Sequence, residues 1–204
     1  MSPYKAIIFD MGDVLFRWEP KINTTLTTDT LRTMANSDLW ARYEEGRMTS
    51  AQCYQILGDK HGVSPEEIAS TFRQSTGCLT PDAGMTEFLR ELKGHKLPIY
   101  MMTNIPQLDY DQLRSVEYDW HIFDGIFASG YVGMRKPNLK FYEHVLAEIG
   151  VGASEAIFVD DKTENVAAAR EIGIAGLVFE SSRAEHVREQ IRKLLAGEPA
   201  AVGA

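Results

Sequence analysis

The stretch AIIFDMGDVLF, residues 6–16, decides how the chain is organised. Its first four residues, Ala6 to Phe9, are all apolar, and the run ends at the acidic Asp10. A continuous apolar run of this length is typical of a strand buried on both faces, as in a parallel sheet covered by helices. A carboxylate at the end of such a strand is costly to desolvate, so Asp10 is a candidate functional residue.

Short apolar runs that end in polar or acidic residues recur along the chain. The further predicted strands are LPIYMMTN (97–104), GIFAS (125–129), AIFVDD (156–161) and GLVFE (176–180). Helical segments lie between them, and the alternation of strands and helices predicts βαβ units with right-handed crossovers. We therefore expect an α/β fold with a doubly wound, Rossmann-like parallel sheet.

Capping residues predict where several helices begin and end. One helix is expected to start with Thr80 as N-cap and Pro81 in the first helical position, and to end at Gly94. Two later helices are expected to end at Gly150 and Gly173, because glycine suits a left-handed cap.

The segment 17–79 contains no strand-like run and is predicted to be helical. Its expected helices are 28–46, 49–62 and 64–77, the last with a serine N-cap, a proline and two acids at its start. An insertion after the first strand lies over the carboxyl ends of the strands, where open α/β sheets bind ligands. We therefore expect a Rossmann-like core of residues 1–16 and 80–204 and a small helical cap of residues 17–79. The cap residues that could line a pocket are Trp18, Trp40, Tyr43 and Arg47.

The composition restricts the class of partner. The 204 residues carry a formal net charge of −8 and no dense Lys/Arg stretch, which disfavours nucleic acid and anionic membrane surfaces as partners. No stretch approaches the about 20 apolar residues that span a membrane, and no secretory signal is apparent. Two cysteines, Cys53 and Cys78, are expected to be reduced. We expect a cytoplasmic protein, and the sequence leaves its oligomeric state open.

The residues that end the apolar runs form a chemically coherent set. It comprises Asp10, Thr103 with Asn104, Asp160 with Asp161, and Lys136 from the loop GMRKPN. In a parallel sheet all the strand ends lie along one edge, so these groups are expected to converge. Clustered carboxylates repel one another unless a cation lies among them, and oxygen ligands favour Mg²⁺. A lysine and a hydroxyl group opposite the metal would bind a phosphoryl group.

Four ordered motifs of the chain resemble those of the haloacid dehalogenase-like (HAD) superfamily. They are FDMGDVL, MMTN, RKP and FVDD, with a helical cap inserted after the first. The resemblance extends from Tyr4 to about Glu180. Any one motif would be weak support, whereas the four in this order form a specific signature.

The resemblance implies a metal site built on the first and fourth motifs. Asp10 would be the nucleophile, forming an aspartyl-phosphate, and would also bind Mg²⁺. The backbone carbonyl of Gly12 and the carboxylate of Asp161 would be further ligands. Asp160 would support Asp161 or bind the metal as well, and Asn165 could steady this set.

The resemblance also implies how a phosphoryl group would be held. Thr103 and the backbone around Asn104 would donate hydrogen bonds to it, while Lys136 would neutralise its charge and keep Asp10 ionised. The implied enzyme is a magnesium-dependent phosphatase acting on a small phosphorylated metabolite. The stretches YEEGRMTS, GMRKPN and VDDKTEN are similar to the sugar-1-phosphate phosphatase-like branch, which suggests a sugar phosphate.

The chain departs from the family's pattern at Gly12. Most phosphatases of this superfamily carry an acid two residues after the nucleophile, where it protonates the leaving alkoxide. General acid–base help is typically worth about 10²- to 10⁴-fold in rate. Asp13, a cap residue or a metal-bound water could take over this role, or the protein could be a slow phosphatase or no enzyme.

Two other functions stay open from the sequence. A metal-independent 2-haloacid dehalogenase would also lack the acid at Gly12, but it has no need of Asp160 and Asp161 beside Asp10. A non-catalytic phosphate-binding or regulatory protein would explain the missing acid, but not the presence of Asp10, Lys136 and Asp161.

Overall fold

The computed structural model describes residues 2–19 and 21–198. Within these ranges the strands are β1 (Ala6–Phe9), β2 (Phe16–Trp18), β3 (Leu79–Pro81), β4 (Ile99–Thr103), β5 (Gly125–Ala128), β6 (Ala156–Asp160) and β7 (Ala175–Val178). The α-helices are α1 (Thr28–Ala35), α2 (Asp38–Glu44), α3 (Ser50–His61), α4 (Pro65–Gly77), α5 (Ala83–Gly94), α6 (Gln107–Leu113), α7 (Ser129–Val132), α8 (Leu139–Ile149), α9 (Thr163–Glu171) and α10 (Ala184–Ala196). Short 3₁₀ helices cover Trp120–Ile122, Ala153–Glu155 and Ser181–Arg183.

Five strands form one parallel sheet in the order β5-β4-β1-β6-β7. The strand β1 lies at its centre, where Phe9 pairs with Met101 of β4 and with Val159 of β6. All four residues of β1 are buried, as their apolar run predicts. The expected α/β fold with a doubly wound parallel sheet is therefore confirmed.

Helices cover both faces of this sheet. Because successive strand residues point to opposite faces, Ile7 and Phe9 pack into a core with α5 and α10, whereas Ile8 packs into a second core with α8 and α9. None of the described helices has the length and apolar content that crossing a membrane requires.

The helices α1 to α4 lie between β2 and β3 and bury a core of their own. This core includes Trp40, which stacks on Phe72 with ring centroids 4.1 Å apart, and the free thiol of Cys53. The predicted helix 28–46 is two helices, because Ser37 caps the second one by accepting a hydrogen bond from the amide of Trp40 at 3.2 Å.

The two ends of this helical segment form a short antiparallel pair, β2 with β3. The expectation that 17–79 contains no strand is therefore wrong at its ends, and the expected N-cap at Thr80 is also wrong. Thr80 pairs with Arg17 in the strand pair, so the helix starts later, with Asp82 as N-cap accepting from the amide of Met85 at 2.8 Å. The expected end at Gly94 is confirmed.

The two glycines expected to end helices with a left-handed backbone do so. Gly150 has φ +68° and Gly173 has φ +95°, a conformation that glycine adopts without a steric penalty.

Candidate active site

The ends of three neighbouring strands bring polar side chains together at the carboxyl edge of the sheet. Asp10 follows β1, Thr103 ends β4 and Asp160 ends β6. The amide of Asp10 donates to the carbonyl of Val159 at 2.8 Å, which places Asp10 beside Asp160. All three polar side chains are buried, so their charges and dipoles act in a low dielectric.

The loop between α7 and α8 places the ammonium group of Lys136 between two of these carboxylates. Lys136 is 1% exposed, and its Nζ lies 2.5 Å from Asp10 Oδ1 and 2.6 Å from Asp160 Oδ2. Burial by itself lowers the pKa of Lys136, but the charges of Asp10 and Asp160 outweigh it, so the net shift is upward. Lys136 is therefore held as a cation inside the protein.

Two hydrogen bonds from Asn104 fix the backbone of Lys136. Asn104 Nδ2 donates to the Lys136 carbonyl at 2.9 Å, and the Lys136 amide donates to Asn104 Oδ1 at 2.8 Å. The side-chain amide of Asn104 is thus engaged by protein, which leaves the backbone near Asn104 for the phosphoryl contact predicted from the sequence.

A third carboxylate completes the cluster. Carboxylate oxygens of Asp10, Asp160 and Asp161 all lie within 4.8 Å of one another. Burial and the charges of Asp10 and Asp160 raise the pKa of Asp161 to about 7, and burial raises the pKa of Asp10 against the opposing effect of Lys136. Three carboxylates facing one ammonium group leave a site that favours a further cation.

Asp160 is the most heavily bonded member of this cluster. Its oxygens accept hydrogen bonds from Lys136 Nζ, from the amide of Lys162 at 2.8 Å, and from Asn165 Nδ2 at 2.9 and 3.1 Å. Asn165 is itself held by Tyr142, whose hydroxyl donates to the Asn165 carbonyl at 2.9 Å. These bonds leave Asp10 and Asp161 as the more open carboxylates. Tyr142 was missed because an aromatic residue on a helix usually belongs to the core.

Gly12 and Asp13 form the turn after Asp10. A Cβ atom built at Gly12 would have no atom within 4 Å, so a side chain there would meet open space. Asp13 is exposed and has a left-handed backbone with φ +56°, a conformation in which aspartate is one of the better-tolerated residues. The site therefore offers no acidic side chain from position 12, and Asp13 lies at the surface.

Three of the residues predicted to line a pocket lie at two cavities of the structure. Trp18 lines a cavity of about 520 Å³ together with Asp13 and Asp161. Tyr43 and Arg47 line another of about 470 Å³ between the α2–α3 connection and the start of α6. Trp40 is instead buried within the apolar core of the helices α1 to α4.

Two further buried carboxyl groups lie where α2 packs against the residues that follow β4 and α7. Glu44, at the end of α2, accepts a hydrogen bond from Arg135 Nε at 2.8 Å. Asp109 of α6 is buried, and burial together with the charge of Glu44 raises its pKa to about 7. Sequence reasoning missed both, because an acidic residue on an amphipathic helix usually faces solvent.

Comparison with known proteins identifies the family. The model of the haloacid dehalogenase-like hydrolases matches residues 4–173. A sesquiterpene phosphatase, astK of Aspergillus oryzae, is 54% identical over 90% of this chain and 93% of its own length. The drimenol cyclase drtB of Aspergillus calidoustus is 36% identical over 98% of this chain, which corresponds to 38% of that longer protein.

A solved structure agrees with this assignment at the level of the fold. A HAD family enzyme of Bacteroides thetaiotaomicron, crystallised with magnesium and inorganic phosphate, superposes with a TM-score of 0.72 at 19% identity, over 87% of this chain and 95% of that one. The enzyme class predicted from the sequence, a phosphoric monoester hydrolase, is that of the phosphatase relative. The chain therefore belongs to the haloacid dehalogenase-like hydrolase family.

Proposed function

We propose that this hydrolase is a magnesium-dependent phosphatase that cleaves a phosphate ester through an aspartyl-phosphate on Asp10. One observation carries the proposal. The ammonium group of Lys136 lies within 2.6 Å of both Asp10 and Asp160, and a carboxylate oxygen of Asp161 joins theirs within 4.8 Å. An ammonium group and clustered carboxylates at one strand edge supply the charges that phosphoryl transfer needs.

The donor set suits Mg²⁺, because it consists of oxygen atoms with a surplus of negative charge. Asp10, Asp161 and the carbonyl of Gly12 would hold the ion. Asp160 would act from outside, since its oxygens already accept bonds from Lys136, Lys162 and Asn165. When bound, the metal would supply positive charge to the phosphoryl oxygens.

The first chemical step uses the carboxylate of Asp10 as nucleophile. Lys136 contacts Oδ1 and opposes the upward shift that burial gives the pKa of Asp10, and Oδ2 is left to attack phosphorus. The new bond joins Asp10 to phosphorus, and the bond from phosphorus to the leaving oxygen breaks. Thr103 and the backbone near Asn104 bind the phosphoryl oxygens as charge shifts.

The leaving oxygen takes its proton from water. Gly12 has no side chain to donate one, and Asp13 is exposed at the surface. In the second step water attacks the phosphorus of the aspartyl-phosphate, which releases inorganic phosphate and restores the carboxylate of Asp10. We propose that the helices α1 to α4 form a cap that covers the leaving group.

We infer that the substrate is a small phosphorylated terpenoid rather than a sugar phosphate. The sesquiterpene phosphatase that is 54% identical over nearly all of its length supports this choice. The apolar side chains of Met48 and Leu108, which line the cavity beside Tyr43, would suit a hydrocarbon group. A cytoplasmic location and a small-molecule partner remain our proposals.

No observation favours the other functions considered from the sequence. A metal-independent dehalogenase would have no use for the carboxylate of Asp161 beside that of Asp10. A non-catalytic phosphate-binding protein leaves unexplained why Lys136 is buried against Asp10.

The test is phosphate release from farnesyl phosphate and from glucose 1-phosphate, with Mg²⁺ and with excess chelator. We expect magnesium-dependent release, faster from farnesyl phosphate, that is lost in Asp10→Asn. Equal rates in chelator, or full activity of Asp10→Asn, would contradict the mechanism. Faster release from glucose 1-phosphate would contradict the substrate class alone.

A further inference from the structure

One ion pair joins the cap helices to the core at a position next to the site. Glu44 Oε2 at the end of α2 lies 2.8 Å from Arg135 Nε. Among the described residues, this is the only ion pair between the helices α1 to α4 and the rest of the chain. The side chain of Glu44 is 11% exposed, so the contact is screened from solvent far more than a surface pair.

Arg135 directly precedes Lys136 in the sequence, and the ammonium group of Lys136 contacts the proposed nucleophile Asp10. The loop that carries both residues has one anchor on the core side, where Asn104 makes two hydrogen bonds to the Lys136 backbone. Glu44 is the second anchor and comes from the cap side. The loop is therefore held by two contacts, one from Asn104 after β4 and one from Glu44 at the end of α2.

The end of α2 packs closely against α7, so a movement of Glu44 would also move this end of the helix. A Cβ atom at Gly46 would lie only 2.8 Å from the carbonyl oxygen of Gly130 in α7, so only glycine fits this approach. Gly46 also has φ +67°, which favours glycine for a second reason. The contact leaves little freedom for α2 to slide over α7.

The charges at this junction make Arg135 hard to replace. Burial raises the pKa of Glu44, while Arg135 and Lys162 oppose that shift. The nearby Asp109 is a second buried carboxyl group. A variant without the guanidinium group would leave two buried carboxyl groups, Glu44 and Asp109, with less positive charge beside them. Loss of the Glu44 charge is less disruptive, since Arg135 can then turn toward water.

We propose that Glu44 is a positioning residue for the phosphatase reaction. Through Arg135 it holds the Lys136 loop in place when the cap covers the site, so that docking of the cap and placement of the lysine are linked. The inference rests on the proposed function, because it assigns Lys136 to the phosphoryl group. It adds a contribution from the cap to a site otherwise built on the core.

The experiment compares Glu44→Gln with two matched variants that also remove polar contacts of the cap. Gln112→Ala removes a cap–core hydrogen bond, from Nε2 to the carbonyl of Arg73 at 2.7 Å, that has no link to Lys136. Glu45→Gln removes an ion pair to Arg47 that lies wholly within the cap. With p-nitrophenyl phosphate and Mg²⁺, we expect kcat of Glu44→Gln to fall about ten- to a hundred-fold and KM to rise, and both other variants to stay near wild type.

A second measurement, which needs no turnover, shows whether Glu44 acts through Lys136. Inorganic phosphate is titrated calorimetrically into the magnesium-loaded protein. Glu44→Gln is expected to weaken phosphate binding in the wild-type background but not in Lys136→Met. An equal loss in both backgrounds, or a kcat of Glu44→Gln no lower than that of Gln112→Ala, would overturn the proposal. If Lys136→Met does not fold, the comparison of kcat decides alone.

Discussion

Lys136 and Asp10 are 126 positions apart in the sequence, and their charged groups lie 2.5 Å apart in the structure. The same ammonium group also binds Asp160, so one lysine compensates two buried carboxylates. The charges of the two carboxylates raise the pKa of Lys136 despite its burial, so the lysine is held as a cation. The fold thus maintains a buried positive charge where a phosphoryl group is proposed to bind.

Removal of this lysine is expected to cost both stability and activity. In Lys136→Met, Asp10 and Asp160 lose the ammonium group that both of them contact, and breaking a buried pair in this way typically costs about 3–5 kcal/mol. Urea unfolding measures the free energy, and phosphate release measures the activity. A surface variant, Lys140→Met, serves as control. Unchanged stability of Lys136→Met would show that the two carboxylates do not depend on the lysine.

Asn104 is expected to influence the rate through the backbone of Lys136. Asn104→Ala removes both hydrogen bonds that hold this backbone, so the ammonium group is placed less accurately. We expect kcat to fall about tenfold or more, while KM changes little. Steady-state kinetics with p-nitrophenyl phosphate provide the measurement. An effect on KM alone would indicate that Asn104 serves substrate binding instead.

The strand ends could be predicted because apolar runs reveal buried strands and parallel pairing brings their ends together. Asp10, Thr103 and Asp160 follow from this reasoning. The strands β2 and β3 could not be predicted in this way, since three residues are too few to show the alternation of side chains that is typical of a strand. Their pairing also moves the start of α5 to Asp82, which shows tertiary contacts overriding a local capping preference at Thr80.

Groups whose burial depends on packing between distant segments could not be predicted. Glu44 lies at the end of α2, and its burial comes with a contact to Arg135, which is 91 positions further along the chain. The engagement of the Asn104 side chain by Lys136 likewise joins residues far apart in sequence. No local pattern reveals these partners, although Asn104 itself is predicted from the sequence by its place directly after β4.

An acid placed at position 12 is expected to speed the release of poor leaving groups. The open space at Gly12 can accept a side chain, and a glycine at position 13 would suit the left-handed backbone there. In the double variant Gly12→Asp, Asp13→Gly, we expect release of phosphate from alkyl esters to rise at least about tenfold. The single variant Asp13→Asn should match wild type. Loss of activity in Asp13→Asn would instead identify Asp13 as the proton donor.

The buried Asp109 is expected to make stability depend on pH. Its pKa in the folded protein, about 7, lies above the ordinary value of 3.8. As pH rises from about 4 to 7, the unfolded chain releases this proton while the folded protein keeps it, so the free energy of unfolding falls, in total by a few kcal/mol. Urea midpoints at pH 5 and pH 8 should differ less in Asp109→Asn than in wild type. An equal difference in both proteins would show that Asp109 ionises normally.

The most direct test of the mechanism is to trap the phosphoryl group on the protein. Enzyme turning over farnesyl phosphate with Mg²⁺ is quenched in acid, digested and analysed by mass spectrometry. We expect a phosphoryl group on Asp10 in the wild-type protein, and none in Asp10→Asn or in excess chelator. Phosphorylation of a different residue during turnover, or undiminished turnover by Asp10→Asn, would contradict the assignment of Asp10 as the nucleophile.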